Sequence, residues 1–342
     1  VKAILLEMLT GRGPLVPLLT LAFAGALVFM IAARLARHAD AIAHATRLGG
    51  LWIGSVLLAA ATSLPEILTD ANAVLLDAPD IGVGDLFGST LANLLILAAL
   101  DLGFAEHRVL HSVSAEHARL GTLGILLTVM AGLAMVTGGW GRIGHVGVET
   151  VAIAAVYLAG MRRLYRSMSA SLAAAPGSLL EDRGAGLKRP LVGFALAAAG
   201  LSIVAPLLVL SAEAFSKESG ATEAFVGTLL VGLTTSFPEM AATVAAVRLG
   251  ALDLAVGNIF GSNAFNMTVL LIMDIVYLRA PVLSVVSRDH LLTVLVAVAC
   301  IGLSMMAIQS RDQKPRRAVR VESLLIVAAY LLGAWTLSWL RL

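Results

Sequence analysis

Charge is scarce in this chain: Asp, Glu, Lys and Arg make up 13% of its 342 residues, against 59% hydrophobic residues. A soluble globular protein needs more charge than that to cover its surface, so the balance excludes one and points to a helical membrane protein. The mean hydropathy of +0.92 agrees. Cysteine is nearly absent as well. The single Cys300 cannot form an internal disulfide and, lying in an apolar run, reads as a small packing residue. The net charge of +2 is small, and no basic patch for nucleic acid stands out. There is no HExxH, no cofactor fingerprint and no buried histidine to serve a serine, so a membrane-embedded hydrolase ranks last among the function classes and no cofactor is expected.

What the chain has is long apolar runs. A helix needs about twenty mostly apolar residues to cross the hydrocarbon core. Such runs fall at 14–36, 49–76, 81–103, 119–138, 144–166, 190–214, 222–249, 254–278, 290–309 and 321–340. The first is too long and too poorly terminated for a cleaved signal peptide and reads as a true span. The longest polar interval, near Ser167–Arg189, divides the ten spans five and five. The expected units are a first half over 1–167, a connecting loop over 168–189 and a second half over 190–342. Basic residues gather on alternate loops, seventeen on one side against seven on the other. Because positive charge is retained on the cytoplasmic face, both termini are expected outside and the 168–189 loop inside, in a multi-pass protein of the cell membrane.

The two halves repeat. Gly54–Asp101 aligns without a gap to Gly227–Asp274, 173 residues on, matching Thr62 to Thr235, Ser63 to Ser236, Pro65 to Pro238, Glu66 to Glu239, Ser89 to Ser262 and Asn93 to Asn266. Five spans separate the copies. That is an odd number, so the second copy crosses the membrane in the opposite direction. The fold expected is therefore all-α and integral to the membrane, with ten transmembrane helices in two inverted five-helix repeats. Inverted repeats are the signature of secondary transporters, with the substrate site near the midplane between the halves. Pro65 and Pro238 each lack an amide hydrogen, so a kink is expected beside Ser63 and Ser236. Gly84, Gly88, Gly257 and Gly261 are expected either to weaken their helices or to admit a neighbour closely.

Each motif sets two oxygen-bearing side chains four residues apart, on one helix face: Thr62/Glu66, Ser89/Asn93, Thr235/Glu239 and Ser262/Asn266. No histidine or cysteine joins them. Oxygen-only ligation suits hard cations such as Ca²⁺ or Na⁺ and argues against Zn²⁺ or Cu²⁺. A mid-membrane carboxylate costs roughly 2.5–3.5 kcal/mol on insertion scales, and a divalent cation between Glu66 and Glu239 would offset it. Without the ion the two acids repel, and the empty site can take up a proton. Na⁺ and H⁺ coupling are both open on these grounds.

The runs "TSLPE" and "GDLFGSTLAN", with "TTSFPE" and "GNIFGSNAFN" in the second half, resemble the paired alpha-repeats of the cation/Ca²⁺ antiporter superfamily, sodium/calcium exchanger branch. The resemblance implies exchange of Ca²⁺ for Na⁺ by alternating access, with H⁺/Ca²⁺ exchange as the alternative and a passive cation channel as the remoter one. It implies Glu66 and Glu239 as central Ca²⁺ ligands, completed by Asn93 and Asn266. Thr62, Ser63, Ser89, Thr235, Ser236 and Ser262 would line flanking Na⁺ sites. The implied partners are inorganic cations and membrane lipid, with one chain sufficient for transport. Many exchangers carry an aspartate where Asn266 stands. Asp85 stands where the second half has Asn258, and Thr90 where it has Asn263; Asp85 either adds a charge near the pathway or hydrogen-bonds neighbouring backbone. The long regulatory insert of animal exchangers is not expected here.

Plainer readings compete. Serine and threonine hydroxyls often bond back to their own helix, and asparagines often join helices. Asp101 and Asp274 are expected to cap loops or face the interface. The histidines, all at span ends or in loops, are expected to be solvated. The basic run Arg311–Arg320 reads as a topology determinant or a lipid-headgroup contact.

Overall fold

The computed structural model describes residues 6, 9–11, 13–46, 48–104, 109–173, 186–219, 232–310 and 320–340. The fold is all-α apart from a two-residue β-ribbon, Arg142–Ile143 with Val146–Gly147. The helices of the first half are α1 (Leu15–Thr46), α2 (Gly49–Thr62), α3 (Leu64–Leu75), α4 (Pro79–Gly103), α5 (Val109–Ser112), α6 (His117–Thr137) and α7 (Val148–Ala173). The second half supplies α8 (Lys188–Ser219), α9 (Gly232–Thr235), α10 (Phe237–Arg248), α11 (Leu252–Val276), α12 (Val282–Val285), α13 (His290–Gln309) and α14 (Val321–Leu340). Outside the α2/α9 pair, every helix of the first half starts 173 residues before its counterpart, so the register seen in the motifs runs through the whole chain.

Among the described residues six helices are long and apolar enough to cross a membrane, and seven if the bent pair α2–α3 counts as one span. The usual partition of a soluble protein is inverted. Leu19, Phe23, Leu158, Leu196, Ile203 and Leu332 are exposed, while Thr62, Ser63, Glu66, Asp70, Ser89, Glu239, Ser262 and Asn266 are buried. Apolar surface without water has lipid as its solvent, and polar side chains turn inward.

The helices differ from expectation at their ends. Helix α1 continues ten residues past the expected 36, because Ile42 and Ala43 still bury against the protein after the lipid-spanning part has ended. Helix α7 begins at Val148, after the β-ribbon, and continues to Ala173, so the loop expected from 168 starts later. The first ten residues of the expected span 222–249 lie outside the described residues, as do 174–185 and the basic run at 311–319.

Helices α4 and α11 form the centre, packed against each other and against the broken helices. Glycine permits the closest crossing. A Cβ on Gly257 would stand 2.9 Å from the Leu51 carbonyl oxygen, one on Gly54 would stand 2.5 Å from that of Leu254, and one on Gly261 would strike the Ser55 backbone. Thus α2 and α11 touch main chain to main chain, the small-residue packing that replaces hydrophobic driving force in lipid. The α2 backbone is widened there into a π-turn over Gly54–Leu58. Both α4 and α11 are unbroken; Gly257 and Gly261 serve close approach of main chain, Gly84 admits the His290 ring, and Gly88 has no neighbour within 4 Å among the described residues.

Two histidines correct the sequence reading. His117 and His290 occupy equivalent positions at the starts of α6 and α13 and are buried, at 0% and 7% exposure. His117 Nε2 lies 2.9 Å from Asp253 Oδ1 and His290 Nε2 lies 3.1 Å from Asp80 Oδ1. The Ser114 and Ser287 amides donate to the same two oxygens at 2.8 and 2.7 Å. Each half therefore clasps the first turn of the other half's central helix, at positions where solvation had been expected. Asp101 and Asp274 do cap. Asp101 accepts from the Leu110 amide and the Ser323 hydroxyl, and Asp274 accepts from the Val282 and Gly147 amides and the Thr150 hydroxyl.

Candidate ion site

The site begins at two breaks. Helix α2 ends at Thr62 and α3 starts at Leu64, with a bend of 45° between them. The break residue Ser63 has φ −84° and ψ 1°, and Ser236, between α9 and α10, has φ −83° and ψ 5°. Pro65 and Pro238 stand in the first turn of the helix that follows, where a missing amide hydrogen removes no helical bond. That placement puts Glu66 and Glu239 in the first turns of α3 and α10 as well. There the unpaired amides and the dipole favour a negative charge.

The two acids meet. Glu66 and Glu239 are exposed by 1% and 0%, and their carboxylates are neighbours close enough to act on each other's charge. Glu239 Oε1 accepts from the Ser63 hydroxyl of the opposite half at 3.2 Å. Glu239 Oε2 and both oxygens of Glu66 have no partner. The same is true of the hydroxyls of Ser89, Ser236 and Ser262, of Asn93 Oδ1, and of both polar atoms of Asn266. Buried polar atoms are nearly always hydrogen-bonded. Orphaned oxygens from α3, α4, α10, α11 and the break at Ser236 thus gather in one cluster. The donors are carboxylate, hydroxyl and amide oxygens, the set that suits a hard cation. Among the described residues no group of three His, Cys, Asp or Glu side chains is placed to hold a metal.

The threonines are placed differently. The Thr62 hydroxyl lies 3.1 Å from the Leu58 carbonyl and 3.3 Å from Asn258 Oδ1, and Thr235 donates to Asp85 Oδ1 at 3.2 Å. Both line the site but already have protein partners, the back-bonding that competes for any single hydroxyl. The sequence reading left three neighbours out of its site. Asn258 joins Thr62 and Thr243, Asn263 Oδ1 accepts from Asn93 Nδ2 at 2.9 Å, and Asp85 accepts from Thr235. Their signal was available in the helical spacing, since Asp85 and Asn258 stand one turn before Ser89 and Ser262. The repeat alignment marks the same positions, Asp85/Asn258 and Thr90/Asn263, as departures between the halves.

Comparison with known proteins identifies the family. The family model described as sodium/calcium exchanger protein matches residues 16–162 and 189–339, and the chain belongs to that family, a class of membrane-embedded cation antiporters. The inner membrane protein YrbG of Escherichia coli (strain K12) is 27% identical over 92% of this chain and 94% of its own length. The putative antiporter CaxA of Alkalimonas amylolytica is also 27% identical, over 89% of this chain and 93% of its own. Among solved structures, the sodium-calcium exchanger NCX_Mj, soaked with Na⁺ and Sr²⁺, superposes with a TM-score of 0.70 at 20% identity, covering 94% of this chain and 98% of that one. The fold is thus the all-α membrane exchanger fold, with its repeat present twice.

Proposed function

We propose that the chain exchanges Ca²⁺ for Na⁺ by alternating access, with Glu66 and Glu239 as the central ion ligands. The observation that carries this reading is the meeting of two buried carboxylates, one from each half, with unpartnered oxygens around them. Two adjacent buried charges of one sign are strongly unfavourable unless compensated, and a divalent cation compensates both. Asn93 and Asn266 complete the central set, while Ser63, Ser89, Ser236, Ser262, Thr62 and Thr235 stand close enough to serve Na⁺ when Ca²⁺ has left. Because the halves are inverted copies hinged at Ser63 and Ser236, each can adopt the other's conformation and so open the site to either side in turn.

The same site offers a second reading, H⁺ in place of Na⁺. Two carboxylates in contact can hold a proton between them when no ion separates them, which a set of hydroxyls and amides alone could not do. Both termini lie outside in this reading, with the basic loops in the cytoplasm. One chain contains the whole site, so a monomer suffices. Purified protein in vesicles, given opposing Na⁺ and H⁺ gradients separately, tests the choice. Ca²⁺ uptake driven by the Na⁺ gradient alone is expected. Uptake driven only by the H⁺ gradient would select the second reading, and uptake with neither would show a channel.

A further inference from the structure

Around Thr62 and Thr235 the two halves keep one geometry and differ in charge. In the second half, Asn258 accepts from Thr62 at 3.3 Å and donates through Nδ2 to the Thr243 hydroxyl at 3.0 Å. In the first half the equivalent residues are Asp85 and Asp70. Asp85 accepts from Thr235 at 3.2 Å, the mirror of the Thr62 bond. The second bond has no mirror, because Asp85 has no N–H to offer and Asp70 is itself an acceptor. Helices α3 and α4 pack together and bring the two carboxylates close enough to act on one another's charge. Asp70 is fully buried at 0% exposure, and both its oxygens, with Asp85 Oδ2, have no partner.

Asp70 follows Glu66 by four residues on α3, and Asp85 precedes Ser89 by four on α4. The acidic pair therefore lies one helical turn, about 6 Å along the axes, from the central site. It is displaced toward the face that carries the Leu76–Ala78 turn. The mirrored Asn258–Thr243 pair is displaced toward the opposite face, that of the Leu249–Ala251 turn, and is neutral.

We propose that Asp70 and Asp85 form a second cation site, absent from the other half, which takes a hard divalent cation such as Ca²⁺. Two carboxylates balance two positive charges, and with the Thr235 hydroxyl they supply oxygen ligands only, to which water can be added. At the mirrored place the Asn258 amide supplies the positive end of the contact. Here nothing among the described residues does, and a cation fills that role. An ion arriving from the Leu76–Ala78 face meets this site before the centre, whereas one arriving from the other face meets a neutral amide and hydroxyl. The site's role as a staging post rests on the reading of Glu66 and Glu239 as the centre. Its existence does not.

The test is equilibrium binding of radioactive Ca²⁺ to the purified full chain, compared with two double variants. D70T/D85N installs the pair that the second half already accommodates, and an unchanged elution profile and melting point establish that it folds. E66Q/E239Q removes the central charges. Wild type is expected to bind two Ca²⁺ per chain and each double variant one. In sided vesicles, D70T/D85N is expected to weaken apparent Ca²⁺ affinity about tenfold, or 1.4 kcal/mol, from the Leu76–Ala78 face and much less from the other. A single Ca²⁺ in wild type and D70T/D85N alike overturns the second site, including the case in which that variant shifts only the pH dependence, which would mean a shared proton. If E66Q/E239Q loses no ion while D70T/D85N loses one, the central assignment fails and the second site stands.

Discussion

The two halves of this molecule share a backbone and differ in what that backbone carries. Helix for helix they keep one register, the breaks at Ser63 and Ser236 have almost the same dihedral angles, and each half clasps the other through a histidine and an aspartate. What the exchanger fold needs in order to invert is duplicated. What differs lies beside the site, where Asp70 and Asp85 face Thr243 and Asn258. On the proposed alternating access, symmetry would set how the halves move, while departures from symmetry would distinguish one route to the site from the other.

The comparison can be broken most severely at the backbone crossing. Gly261 has no room for a side chain against Ser55, so Gly261→Leu must push α2 from α11. Overpacking of this kind typically costs about 1–3 kcal/mol, and more where main chain is struck. A large drop in melting temperature in detergent is expected. Gly88, with nothing within 4 Å of its built Cβ among the described residues, should tolerate Gly88→Ala.

The clasps come next. His117→Ala and His290→Ala each remove a hydrogen bond to the carboxylate that holds the first turn of the other half, leaving it only the serine amide, at about 1.5–3 kcal/mol apiece. Thermal melting should rank the two variants together, and a variant that melts like wild type would show that its clasp contributes nothing.

Asn258→Asp sharpens the contrast by making the second half resemble the first. It removes the amide donor to Thr243 and sets an acid beside Thr62. A loss of about 1–3 kcal/mol is expected without Ca²⁺, with partial recovery when Ca²⁺ is added, read by melting at two Ca²⁺ concentrations. The smallest effect concerns Asp77, which adopts φ 62° where its counterpart Gly250 has φ 77°. Asp77→Gly relieves a left-handed non-glycine residue but gives up its exposed pair with Arg279 and the Tyr277 hydroxyl bond. The two effects oppose, and stability should change by less than about 1 kcal/mol.

Much of this was legible in the residues. Paired prolines after Thr-Ser located both breaks, and the repeat placed Glu66 and Glu239 on opposing halves, because a helix kink and a constant offset are properties of the chain itself. The clasps were legible only in part. Ser114, Glu116 and His117 recur as Ser287, Asp289 and His290 at the same offset, but whether a span-end histidine is solvated depends on what the other half brings to it. Asn263 is legible only as a departure from Thr90, because whether it meets Asn93 while Thr90 bonds back to Leu86 depends on the folded chain. The length of α1 was not legible either. Its last turns carry His38, Asp40 and His44 and read as loop, though the face bearing Ile42 and Ala43 packs on protein.

The central claim is that one carboxylate from each half holds the transported ion. Ca²⁺ uptake into Na⁺-loaded vesicles, measured for wild type, E66Q and E239Q at equal protein density, tests it most directly. Both variants should fall to the level of protein-free vesicles while keeping the wild-type elution profile. Robust uptake in either one would contradict the account.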